Sequence, residues 1–402
     1  MTAKQKRTLI LLYIRQISAG LLIYQPIFFI FLKSRGISAS QFSLLLIAYN
    51  IGTLGLVVPA GRFADKIGKK WALFAANIIY TIGTLLIATG DSMPVFVVAE
   101  VLYSLAIALD MSTHSAFLFE FLRSQGKENE YYRYDALGMF MALVIGAMGT
   151  LWGGYLAENS LDLPIYITAI CTAVGIPCAF FLEEPVFPVQ KEKASATKVS
   201  KSPVMDVART IIETPGLRWA IGLTVIWFWS RQFINLYLPG PYFNFLHYEP
   251  KNFGMLAATL TLSAGFIAFF SRKLIQKPDL RLIATVGLLL IPTGFFIMGM
   301  IPSRLGLIGF FAFSIPIGLC TAVTNTLLNR QFTDHAHRTT FLSMVDFCVR
   351  LTASCLTYWL GLTIADPARG ITIALVNAAL VTIVIAVFLL PGIFKYAKAS
   401  ST

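Results

Sequence analysis

Charge is what this sequence has least of. Asp, Glu, Lys and Arg make up 13% of its 402 residues, about half the share in a soluble domain, while 56% are hydrophobic. Only one long polar stretch interrupts the chain, which excludes water as the solvent for most of the fold. Cysteine is scarce: Cys171, Cys178, Cys320, Cys348 and Cys355 all lie inside apolar runs. They lack the paired spacing of a disulfide framework or a zinc site and read as small hydrophobes. Of four histidines, His335 and His337 are closest in sequence, but beyond Asp334 no carboxylate or Cys cluster completes a coordination shell, so no metal is expected. A glycine-rich phosphate loop and a nucleophile constellation are also missing. An ATP-driven pump in this single chain is therefore excluded, no cofactor is expected, and the chain is not expected to be an enzyme.

What is present is a succession of apolar runs of about twenty residues, the length a helix needs to cross a bilayer. They lie near 8–32, 40–60, 69–90, 93–122, 136–157 and 164–182, then near 219–246, 253–271, 281–301, 304–329, 339–363 and 370–393. The fold class expected is an all-α integral membrane protein of 12 transmembrane helices. The basic start MTAKQKR resembles a signal peptide, but Arg15 and Gln16 interrupt the apolar stretch that follows it, so it is expected to be a retained first span. The net charge of +12 forms no basic groove interleaved with aromatics, and nucleic acid is not an expected partner. Alternating sides at each span puts 24 of the 32 Lys and Arg on the side of the N-terminus, five on the other side and three within spans. Cytoplasmic loops carry the basic excess, so both termini are expected in the cytoplasm of a multi-pass protein of the cell membrane.

Residues 185–215 open with VFPVQ and continue as KEKASATKVSKSP, which has no apolar face and reads as a flexible cytoplasmic linker. Its end, MDVARTIIE, spaces Met205, Val207, Ile211 and Ile212 as a short surface helix would. The expected domains are thus a six-helix bundle over 1–184, the linker, and a second six-helix bundle over 216–402. A weak internal repeat supports this division. YIRQISAGLLIYQP and WSRQFINLYLPGP align Arg15-Gln16 with Arg231-Gln232, and each is followed by a Tyr and then by a helix-breaking Pro. Two pseudo-symmetric halves related by an axis along the membrane normal fit that repeat.

Between the second and third spans, Gly61, Asp65, Lys66, Gly68, Lys69 and Lys70 fit the pattern G-x-x-x-D-[RK]-x-G-[RK]-[RK]. Gly61 is expected to admit close helix approach, Gly68 a turn, and the lysines to anchor the cytoplasmic face. The segment resembles the signature loop of the major facilitator superfamily, in the place where that family carries it. The resemblance implies an alternating-access secondary transporter in which Asp65 braces a closed cytoplasmic gate against the helix beginning near Arg338-Thr339-Thr340. One departure concerns direction. Drug-proton antiporters of the family carry G-P-x-x-G-G in the fifth helix, where this chain has Gly149-Thr150-Leu151-Trp152-Gly153-Gly154, without the Pro. Gly138 and Gly146 extend that small-residue face, which close helix packing alone also explains.

A charge at mid-membrane costs about 2.5 to 3.5 kcal/mol on insertion scales, so each one there is a candidate for function. Six stand out: Arg15, Glu100, Asp110, Arg231, Asp346 and Arg350. Asp110 shares a helix face with His114 four residues on, and Asp346 with Arg350. Either pair suits a proton relay, and Asp346 with Arg350 suits a structural ion pair equally. Arg15 and Arg231, in the first spans of the two halves, resemble the paired arginines of the family's organophosphate antiporters, which implies an anion clasp. The alternative is that Arg15 pairs with Asp110 or Glu120 and Arg231 with helix-end carbonyls. Glu120 itself is expected in a surface network with Arg123 or Arg133. Tyr24, Gln25, Asn235, Tyr237 and Asn325 are the polar residues expected to line a cavity.

The reading that follows is a monomeric transporter of a small organic solute, anionic or amphipathic, with the bilayer as its environment and protons as the coupling ion. Efflux is favoured. A proton-coupled nutrient importer or an organic-anion exchanger shares nearly every feature, and a sensor or scaffold that retains the fold without transport is a further alternative.

Overall fold

The computed structural model describes residues 2–184, 203–275, 280–332, 338–364 and 369–396, and every regular element among them is helical. Residues 185–202 of the expected linker, together with His335 and His337, lie outside the described residues. So does the side chain of Asn325. The chain divides into two compact units, Met1–Lys191 with Tyr248–Ala258, and Glu192–His247 with Thr259–Thr402. Nine helical segments among the described residues are long and apolar enough to cross a membrane, six in the first unit and three in the second.

The first unit begins with α1 (Ala3–Gly20), a 3-10 turn (Gln25–Ile27) and α2 (Phe28–Ser34), which together form one span broken in its middle. Pro26 sits inside that turn, where its missing N–H costs nothing. Then follow α3 (Ala39–Ile67), α4 (Lys69–Thr89), α5 (Met93–Arg123), α6 (Tyr131–Asn159) and α7 (Leu163–Phe180). Thr2 and Ser38 close capping boxes with Gln5 and Gln41, which sets the starts of α1 and α3. Gly68, at φ +94°, separates α3 from α4, a backbone setting that glycine adopts without strain. Helix α5 packs against α3 and α4, and α7 against α1 and α4. The lower core between them is apolar, with Leu9, Leu12, Leu73, Phe117 and Leu122 buried.

In the second unit the short helix α8 (Pro203–Glu213) leads into α9 (Pro215–Gln232), as the spacing of MDVARTIIE predicts. A π-helical turn over Phe233–Tyr237 separates α9 from α10 (Pro239–Phe245), so the seventh span breaks at the same Tyr-x-Pro signal as the first. The rest are α11 (Pro250–Ile275), α12 (Leu280–Met300), α13 (Leu307–Ala312), α14 (Ser314–Gln331), α15 (Arg338–Ile364) and α16 (Gly370–Tyr396). Helix α9 packs against α14 and α15, and α12 against α16. The expected seventh, eighth and tenth spans, which correspond to α9 with α10, to α11, and to α13 with α14, do not count among the nine. On α16, Leu380, Ile383, Val384, Val387 and Phe388 are exposed at helical spacing, an apolar face that lipid covers.

The first turns of α11 group with the first unit, where they cross the end of α6. A Cβ at Gly154 would stand 2.8 Å from the Pro250 carbonyl, and one at Gly254 would stand 2.6 Å from the Thr150 carbonyl. Only glycine at both positions lets the two backbones touch. Beside the crossing, Lys251 Nζ pairs with Glu158 at 3.2 Å and Glu249 at 2.5 Å. The Lys251 ammonium holds the Glu249 carboxyl below its ordinary range.

Candidate functional site

Arg15 has no exposed surface. Its position on α1 faces α4 and α5, and its guanidinium is filled from both. Nη1 lies 2.6 Å from Asp110 Oδ1 and donates to Asn77 Oδ1 at 3.2 Å, while Nη2 meets His114 Nδ1 at 2.8 Å. The Asp110 contact lacks hydrogen-bond alignment, so charge carries it. Asp110 and His114 share one face of α5, as their spacing requires. Of the two expectations for Arg15, the observed one is the pair with Asp110: the fork expected to clasp an anion is already occupied.

A cleft of about 220 Å³ opens at this network, lined by Arg15, Gln16, Asn77, Tyr80, Ile107 and Asp110 among others. The same face of α5 continues from His114 and Asp110 through Ile107 to Tyr103 and Glu100, about 21 Å of helix at 1.5 Å per residue. Tyr80 donates to Tyr103 at 2.5 Å, and the Tyr49 and Tyr103 rings lie 5.7 Å apart. Glu100 is 7% exposed and has no ion pair among the described residues. Tyr24 is buried with it, and Gln25 is half-buried in the turn beside it.

The second unit has its own charged cleft, of about 280 Å³, between α9, α14 and α15. Arg350 Nε donates to Asp346 Oδ2 at 2.9 Å. The Arg231 and Arg350 guanidinium carbons lie 5.2 and 5.4 Å from the centroid of the same Phe228 ring, within cation–π range. Arg231 has no carboxylate partner among the described residues. Asn235 does not line this cleft: its Nδ2 donates to the Arg231 carbonyl at 2.9 Å, which satisfies an acceptor at the π-helical turn. Tyr237 is fully buried against Phe233.

Comparison with known proteins decides the family. A model of the Major Facilitator Superfamily matches residues 16–357. The chain belongs to the Major Facilitator Superfamily. Multidrug resistance protein 2 of Bacillus subtilis is 22% identical over 201 residues, 50% of this chain and 49% of that protein. Quinolone resistance protein NorA of Staphylococcus aureus is 24% identical over 160 residues, 39% of this chain and 38% of that one. The chain thus spans about half the length, or less, of these curated relatives. Among solved structures, a bacterial homolog of the human lysosomal transporter Spinster superposes over 100% of both chains with a TM-score of 0.76 at 14% identity. The nucleoside transporter NupG superposes over 98% of this chain and 100% of its own, also with a TM-score of 0.76 and 14% identity. These two likenesses show the superfamily fold.

The superfamily's signature segment has one geometry that was expected and two that were not. Gly68 makes the turn. Gly61 is no close approach, since a Cβ there would meet Ser112 Cβ at an ordinary 3.7 Å. Close packing of α3 on α5 occurs at Gly52, where a Cβ would stand 2.8 Å from Ser104 Oγ. The acid at the start of α4 is Glu184, whose carboxylate accepts from the Lys69 N–H at 2.7 Å and the Lys70 N–H at 3.0 Å. Lys69 Nζ pairs with Glu120, and Lys70 Nζ lies 5.2 Å from the Trp71 ring centroid. Arg123 reaches Glu128 at 3.8 Å. Asp65 and Lys66 are exposed, and Asp65 has no ion pair among the described residues.

Sequence reasoning missed Asn77, Tyr80, Tyr103, Phe228 and Glu184. A signal existed for the first two: Asn77, Tyr80, Thr81 and Thr84 form a polar stripe at spacings of three and four on an otherwise apolar helix. Nothing local marks Phe228 or Glu184.

Proposed function

We propose that this protein is a secondary transporter that exports small anionic or amphipathic organic solutes across the cytoplasmic membrane by alternating access, coupled to protons. The observation that carries the reading is the fully buried Arg15 with Asp110 and His114 on its guanidinium. A buried guanidinium needs an anion beside it, because an uncompensated charge in low dielectric costs several kcal/mol. A proton taken by Asp110 removes that anion. The network then favours a rearrangement that rehydrates or re-pairs Arg15, which couples proton occupancy to conformation.

Efflux is supported by the names of the relatives, which are resistance proteins for multiple drugs and for quinolones. The basic excess on the side of the N-terminus supports a cytoplasmic position for both termini. Solute-dependent proton movement in proteoliposomes tests the reading. Asp110→Asn is expected to abolish it, and coupling that survives this change removes Asp110 from the mechanism. Whole-cell accumulation with and without an uncoupler tests the direction: an uncoupler should raise the solute content of cells, and a fall would mean import.

A further inference from the structure

We propose that the second unit's cleft is a binding site for the monoanionic head of an amphipathic ligand, a carboxylate or a phosphate diester carrying an apolar body. The assignment rests on the transport reading above and fixes the chemical class of the solute.

Among the described residues, three charges face this cleft: Arg231 from α9, and Arg350 and Asp346 from α15. Asp346 neutralises one guanidinium, which leaves one positive charge in excess. Arg350 uses only Nε on Asp346, so its terminal nitrogens have no protein acceptor among the described residues. The whole fork of Arg231 is in the same condition. Both guanidiniums are held against one Phe228 ring, so two like charges share a ring whose face favours cations but does not neutralise them. A ligand oxyanion between the two forks supplies the missing charge and accepts the unused donors, and a planar fork suits a carboxylate or a phosphate oxygen pair.

The rest of the wall is mostly apolar: Trp227, Leu328, Leu342, Val345 and Val349 line it beside Thr224 and Thr324. About 280 Å³ is the size of a small ligand site with few polar groups and many apolar ones. Among the described residues a cationic ligand finds a single carboxylate there, already engaged by Arg350, and two repelling guanidiniums. The first unit contains the opposite chemistry, because both terminal nitrogens of its arginine are engaged by Asp110, His114 and Asn77. The anion site therefore belongs to one unit and needs only one of the two arginines that the internal repeat aligns.

The test is calorimetric binding to the purified full-length protein, using three probes that share a ring system: 2-naphthoate, neutral 2-naphthamide and cationic 2-naphthylmethylammonium. Naphthoate is expected to bind at least tenfold more tightly than the amide, and the ammonium least. Arg231→Gln and Arg350→Gln should each weaken naphthoate tenfold or more without changing amide binding. Arg231→Lys, which keeps the charge but loses the fork, should fall between. Thermal unfolding of each variant separates a lost site from a lost fold. Equal affinity for naphthoate and naphthamide, tighter binding of the ammonium, no binding of any probe, or Arg231→Gln with unaltered naphthoate affinity overturns the assignment. Failure of the transport reading looks different: naphthoate binds as expected, yet proteoliposomes show no naphthoate-dependent proton movement. Asp110→Asn should stop transport and leave naphthoate affinity intact.

Discussion

Arg15 and Asp110, on different helices of the same unit, meet at 2.6 Å with the arginine wholly buried. Neither is held by its own helix, so each depends on the other and on the packing of α1 against α4 and α5. Removing one partner leaves a charge in the interior, and removing both leaves none. Asp110→Asn is expected to lower the thermal midpoint in detergent by the equivalent of about 3 to 5 kcal/mol. The double change Arg15→Met with Asp110→Leu should recover most of that loss. A double variant no more stable than Asp110→Asn would mean that the pair does not carry its own burial.

Glu100 provides the opposite case on the same face of α5. It is buried without a cation, so Glu100→Gln keeps its shape and removes no ion pair. The expected result is a thermal midpoint within the scatter of the parent protein, in contrast to Asp110→Asn, together with altered solute-dependent proton movement. A loss of stability as large as that of Asp110→Asn would reveal a partner that the geometry does not show.

Gly175 sets the position of Asn77. A Cβ there would overlap Asn77 Nδ2 and stand 2.7 Å from Ser18 Oγ, whereas one at Gly55 would meet nothing within 4 Å. Gly175→Ala should therefore displace Asn77 from Arg15 and cost about 1 to 3 kcal/mol as overpacking. Gly55→Ala should be neutral or slightly stabilising, because alanine favours the helix. Thermal unfolding of the two variants side by side decides, and equal midpoints would refute the steric account.

The turn at Gly68 is constrained twice, by its φ of +94° and by Glu184 Oε1, 3.2 Å from where a Cβ would stand. Gly68→Ala is expected to destabilise by about 1 to 2 kcal/mol. Glu184→Ala, which uncaps α4 at an exposed position, should cost less, about 0.5 to 1 kcal/mol. If Glu184→Ala costs more than Gly68→Ala in denaturation experiments, the carboxylate does more than cap.

The Lys251 cluster predicts a pH dependence with a definite sign. Glu249 has its proton affinity lowered by Lys251 in the folded protein, so the stability it contributes is present above the ordinary carboxylate range and is lost as pH falls through the lowered value. The parent protein should therefore exceed Lys251→Met in thermal midpoint near neutral pH by a small, salt-sensitive margin. That margin should close as the solution is acidified below about 4.5, the group's ordinary value. A margin that widens on acidification would reverse the assignment.

Much of this was legible in the chain because helical periodicity is local. Apolar run length marks the spans. The Tyr-x-Pro signals mark the breaks at Pro26 and Pro239, and four-residue spacing marks the shared faces of Asp110 with His114 and Asp346 with Arg350. The choices between distant partners were not legible. Arg15 had two candidate acids at comparable register, and only the packing of α1 selects Asp110. Glu184 reaches the start of α4 from 115 residues away along the chain, and Gly61 carries the superfamily pattern although the tight contact falls at Gly52. Residue type showed that Arg231 is costly in a membrane, but the shared Phe228 ring emerges only once α9 and α15 lie side by side.

The bond between Arg15 Nη2 and His114 Nδ1 imposes an order of events. A guanidinium only donates, so while this contact stands Nδ1 must offer a lone pair, and any imidazole proton resides on Nε2. Protonation at Nδ1 and engagement of Arg15 are therefore mutually exclusive. The ring works as an interlock: it accepts a second proton only after Arg15 has let go, and Arg15 re-engages only after that proton has left.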